Sequence, residues 1–195
     1  MWSTLKRSIA IGAISASLGC AGTDFVRPDV EALKNGQTTY AQVLARMGRP
    51  QREGSVIKND KTMKTAVYVY ASAGGKPHRD GVTAARAIGF YFYDGTLVGH
   101  EFISSWAEDH TDFDDGKIKD IIKGRTTRAE VTQLLGKPSG SYIFPLVKAS
   151  TGDAAVYAYQ QVKRFTPFSK MLAVVFDAAG TVTDVEFTSA GSRGN

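Results

Sequence analysis

Asp29-Val-Glu-Ala-Leu-Lys-Asn-Gly-Gln-Thr-Thr-Tyr-Ala-Gln-Val-Leu-Ala-Arg-Met-Gly-Arg-Pro50 aligns without a gap on Lys117-Ile-Lys-Asp-Ile-Ile-Lys-Gly-Arg-Thr-Thr-Arg-Ala-Glu-Val-Thr-Gln-Leu-Leu-Gly-Lys-Pro138. Further matches follow in order. Ala66-Val-Tyr-Val-Tyr70 answers Ala155-Val-Tyr-Ala-Tyr159, and the stretch from Tyr93 to Phe102 answers Phe176 to Phe187. Matches that keep order and approximate spacing point to an ancestral duplication, with copies near 27–106 and 117–190.

Within each copy, Val30 and Leu33, or Ile118, Ile121 and Ile122, fall at helical spacing and end at Gly36 or Gly124. A second helix opens on a capping box, Thr39 with Gln42 and Thr127 with Glu130. There the hydroxyl and the later side chain satisfy orphan amides reciprocally, each cap contributing about 1 kcal/mol. Val43, Leu44 and Met47, matched by Val131, Leu134 and Leu135, form its apolar stripe; Gly48 and Gly136 stop it, with Pro50 and Pro138 beyond. The period then changes to alternation: Val67–Tyr70, Ile88–Tyr93 and Leu97–Ile103 read as strands, the last two joined by a tight turn at Asp94-Gly95. The expected fold class is α+β, a tandem duplication of a helix-helix-antiparallel-sheet unit. Two helices cover one face of such a sheet, which leaves the other open to solvent or a partner.

The start of the chain carries Lys6-Arg7, an apolar run from Ile9 to Leu18, then small residues before Cys20. This reads as a secretory signal over 1–19, too short in its apolar part to span a bilayer. Cys20 is the one cysteine in the sequence, so no intrachain disulfide is possible. Ser17-Leu-Gly-Cys20 resembles the lipobox of bacterial lipoproteins, which implies that Cys20 is acylated, with 20–26 a tether. Removing Lys6 and Arg7 from the 24 basic side chains leaves 22 against 19 acidic ones, spread along the chain. Nucleic acid is therefore not an expected partner. The connector 107–116 is acidic and reads as a solvated linker; 191–195 reads as a frayed tail.

With helix–Gly–Thr–x–x–Gln/Glu–Val–x–x–x–x–Gly–x–Pro followed by strands behind a lipoprotein signal, each copy resembles the SmpA/OmlA (BamE-like) outer-membrane lipoprotein family. Tandem pairing also resembles the beta-lactamase inhibitory protein fold. The first resemblance implies an acylated, periplasm-facing accessory protein of a β-barrel assembly complex, held in the outer membrane by its acyl chains; Ala21 after the cysteine accords with that destination. The second implies an inhibitor of a periplasmic or secreted enzyme.

Recognisable catalytic patterns are lacking. His78, His100 and His110 are not at metal-binding spacing, and there is no nucleophile elbow or phosphate-binding glycine loop. The expectation is a binding protein without cofactor or metal. Alternation places Tyr68 and Tyr70 on one face of their strand and Tyr91 and Tyr93 on one face of theirs, so these four are the candidate partner-binding residues, either lining an open face or packing beneath helices. The basic segment Ala73–Gly81 reads as a plain mobile loop, with added partner contacts as the alternative.

Overall fold

The computed structural model describes residues 22–29, 32–148 and 150–194. The signal 1–19 and Cys20 lie outside the described residues. The chain forms eight strands, β1 (Arg52–Lys58), β2 (Lys61–Ser72), β3 (Ala84–Tyr93), β4 (Thr96–Ser104), β5 (Gly140–Tyr142), β6 (Asp153–Lys163), β7 (Thr166–Phe176) and β8 (Val182–Gly191), with helices α1 (Tyr40–Met47) and α2 (Arg128–Leu135). All eight belong to one antiparallel sheet in the order of the sequence, curled into a half-barrel.

This corrects the expected α+β tandem of helix-helix-sheet units. Short β5 bonds on one side to β4 (Glu101 opposite Gly140) and on the other to β6 (Gly140 opposite Val156), so the two sets of strands fuse into one sheet. The first helix of the second copy does not form as an α-helix: Asp115–Asp120 is a single 3₁₀ segment, and in the first copy Val30 lies outside the described residues while Leu33 and Lys34 are not helical. So short a segment is not self-sustaining, and the backbone that follows bonds instead to a hairpin. Gly36 N–H donates to the Leu97 carbonyl (2.8 Å) and Leu97 N–H to that of Thr38 (2.7 Å); Gly124, Val182 and Thr126 repeat the arrangement at 2.7 and 2.9 Å. Gly36 and Gly124 have φ of 77° and 74°, open to glycine and costly for other residues.

Both capping boxes form, at Thr39 with Gln42 and at Thr127 with Glu130. Each eight-residue helix inserts one fully buried side chain, Val43 or Val131, into its own cluster. Tyr68 and Tyr157 fasten the helix ends, their hydroxyls donating to the carbonyls of Gly48 (2.8 Å) and Gly136 (3.0 Å). The Asp94-Gly95 turn has φ of 49° and 76°, the doubly left-handed geometry that twisted hairpins favour.

The acidic connector is structural rather than a solvated linker. Arg86 on β3 and Lys170 on β7 have side chains 3% and 0% exposed. Arg86 pairs with Asp109 (2.9 Å), Glu108 and Asp24, and its guanidinium lies 4.6 Å from the Trp106 ring. Lys170 pairs with Asp112 and Asp115, both at 2.8 Å, and donates to the Phe113 carbonyl. Asp112, 7% exposed, also takes Arg79 at 2.9 Å and Arg193 at 3.2 Å. Burial pushes the Asp112 carboxyl up, but bonds from Lys170 and Arg193 outweigh it and hold the group below its ordinary 3.8. That stabilisation is present above the ordinary value and is lost as pH falls through the lowered one. Nor is the described part of the tail frayed: the Arg193 carbonyl accepts from Gln161 (2.9 Å) and that of Gly194 from Lys163 (3.1 Å).

Asp112→Ala leaves a buried ammonium with one carboxylate and removes the carboxylate contact of Arg79, so it should lower unfolding free energy by about 3 kcal/mol in denaturant titrations. Asp184→Ala, which breaks an exposed pair with Lys123, should cost less than about 1 kcal/mol.

Candidate binding site on the concave sheet face

The two faces of the sheet are covered very differently. On one, Ala66, Tyr68, Ile88, Phe90, Phe92 and Phe102 of the first half are buried with Val43 of α1, and Tyr157, Leu172, Val174 and Phe176 of the second with Val131 of α2. The other is the inside of the curl. Lys58 and Glu186, on the two edge strands, both point to that side, and their charged groups come within 4.0 Å of each other. Met63, Tyr142, Ala154, Val156 and Val175 are buried there with Leu146 and Val147 of the 143–147 loop, while Thr65, Val67, Val69, Ile103, Met171 and Ala173 are half-buried.

Register defines a transverse row across this face: Arg52, Val67, Gly89, Glu101, Gly140, Val156, Ala173, Glu186. Glu101, half-buried, lies on the fourth of the eight strands and accepts hydrogen bonds from Tyr91 (3.0 Å) and from Tyr142. The two phenols meet edge-to-face, with centroids 5.7 Å apart. Glu101 forms no ion pair among the described residues. Desolvation raises its pKa above the ordinary carboxylate value, against the opposing effect of the phenol bonds. Burial pushes both tyrosines well above 10, and the neighbouring carboxylate adds to the shift.

Glycine shapes the site. A Cβ at Gly99 would lie 2.4 Å from Leu146 and 2.5 Å from the Tyr142 ring, so only glycine lets Tyr142 and the 143–147 loop close down there. Gly89 and Gly140 flank Glu101 on the adjacent strands and place no side chain beside its carboxylate.

The four tyrosines do not form one surface. Tyr68 is buried under α1, and Tyr70, on the same face, stacks 5.9 Å from Trp106. Tyr91 and Tyr93 point to the concave side, where Tyr91 holds Glu101 and Tyr93 lies 6.0 Å from the Lys61 ammonium. Sequence reasoning missed Glu101, Tyr142 and the glycines. The readable signal was an acid inside an otherwise apolar strand, Leu97–Ile103. Of the three histidines, His78 and His110 stack at 3.5 Å. His100 is 3% exposed on the opposite face, its Nδ1 unpartnered and its pKa lowered to about 4, chiefly by burial and secondarily by Arg27. Among the described residues no group of three or more His, Cys, Asp or Glu is placed to hold a metal ion.

No protein-family model matches the chain, and neither the curated proteins nor the solved structures contain a significant match.

Two pH effects of opposite sign follow. Glu101 has a raised folded-state pKa, so stability falls as pH rises from the ordinary 4.5 through the raised value. Glu101→Gln should therefore melt higher than the parent at neutral pH, with the gap closing below pH 4.5. His100 has a lowered one, so up to about 3 kcal/mol present above pH 6.5 is lost on acidification through about 4. His100→Leu should flatten that acid limb in urea titrations.

Proposed function

We propose that this chain is an acyl-anchored protein of the bacterial envelope that works by binding another protein across the concave face of its sheet, without catalysis. The observation that carries this reading is the asymmetry of cover. Both helices and the connector lie on one face, while the inside of the curl, beside its own buried cluster, keeps half-buried apolar side chains near Glu101, a carboxylate with no ion pair among the described residues. Apolar area with a few fixed polar groups is the usual anatomy of a protein-binding surface. The anchor reading rests on the sequence around Cys20, and the expected partner is an outer-membrane assembly such as a β-barrel assembly complex. Described residues 22–29 bring the chain from the tether onto the covered side, where Phe25 packs against Phe102 (6.5 Å) and Arg27 donates to the Pro138 carbonyl (2.7 Å). That segment therefore stays off the concave face.

The test is purification from detergent-solubilised membranes. The parent should carry an acylated Cys20 and copurify at fixed stoichiometry with its partner. Cys20→Ser should leave the membrane fraction, while Ala173→Arg, which fills the concave face, should stay anchored, melt like the parent and lose the partner. A partner retained by Ala173→Arg contradicts the concave-face reading. A soluble enzyme in place of a membrane complex moves the assignment to an inhibitor.

A further inference from the structure

We propose that Glu101 is the receptor for a lysine or arginine side chain that a polypeptide partner carries into the concave face; this rests on the concave-face reading above. The carboxylate sits at the centre of the transverse row with glycine on each side, Gly89 and Gly140, and with Val67 and Val156 next in line. The glycines place no Cβ beside it, and the phenols of Tyr91 on β3 and Tyr142 on β5 fix it in position. Tyr91 donates to Oε1 and Tyr142 to Oε2. An ionised carboxylate has about four acceptor sites. One phenol on each oxygen leaves one site on each, the arrangement that a guanidinium fork or an ammonium uses.

The protein itself supplies the comparison. Leu97 and Val182 occupy equivalent places, each donating to the threonine carbonyl before a capping box, so four residues further on Glu186 is the counterpart of Glu101. Glu186 lies on the same row at the sheet edge and faces a lysine, Lys58, at 4.0 Å. Its counterpart at the centre has two phenols and no cation among the described residues. A desolvated acid in a half-exposed apolar surround gains strongly from an opposite charge delivered there, because water competes weakly for both. The half-exposed Ile103, Met171 and Ala173 provide the apolar rim that a peptide segment would cover on the way in.

The test uses full-length protein purified in detergent and two fluorescein-labelled peptides, Gly-Leu-Arg-Leu-Gly and the same peptide with citrulline for arginine, followed by fluorescence anisotropy. Citrulline keeps the shape and loses the charge. The arginine peptide should bind at least tenfold more tightly than the citrulline peptide, and Glu101→Gln, which keeps acceptors for both phenols, should abolish that difference while melting no lower than the parent. Equal binding of the two peptides, an undiminished difference in Glu101→Gln, or no binding of either overturns the cation site. Equal binding that is lost in Ala173→Arg retains the concave face as a docking surface and removes only the cation site, so the two failures are distinguishable.

Discussion

Two buried cations set the organisation of this protein. Arg86 and Lys170 come from strands in different halves of the sheet, and neither is tolerable in the interior without opposing charge. The connector supplies it. Glu108 and Asp109 go to Arg86, Asp112 and Asp115 to Lys170, and buried Phe113 packs between the latter pair against Tyr157. A segment of that composition would ordinarily be solvated; here it is drawn down onto the sheet because the cations would otherwise be stranded. The same contacts fasten the C-terminal end through Arg193 and the start of the described chain through Asp24.

Covering one face in this way determines what the other can do. The helices, the connector and the segment 22–29 use up the outer face, and β5, three residues long, joins the halves into a sheet that curls away from them. The inside of the curl carries its own apolar cluster, which runs from Met63 of β2 through Tyr142 to Val175 of β7. The carboxylate of Glu101, held by two phenols and flanked by glycines, sits in the middle of this floor, so charge recognition and apolar contact are concentrated in the same place.

Much of this was legible in the sequence, and the failures have physical causes. Capping boxes, helix stops and the Asp94-Gly95 turn are local chemistry and were readable from spacing alone. The first helix of each copy was misread because apolar spacing over seven residues does not reveal competition from hairpin carbonyls such as those of Leu97 and Val182. Fusion of the sheets depends on Gly140–Tyr142, three residues with no periodicity to detect. The tyrosines were assigned correctly to faces within each strand, but register between strands puts Tyr68 and Tyr70 on one side and Tyr91 on the other, and register is a tertiary property. Gly89 and Gly140 acquire meaning only once Glu101 is found between them.

The central claim is that recognition uses the concave face. Its most direct test is photo-cross-linking in intact cells, with a photoreactive amino acid placed singly at Thr65, Val67 or Ala173 inside the curl and at Ile57 or Ile122 outside it. A discrete cross-linked product of one mass from the inner positions, absent from the outer ones, is the predicted result. Products from Ile57 or Ile122 with silence at the inner positions would place recognition on the other side of the molecule and contradict the account.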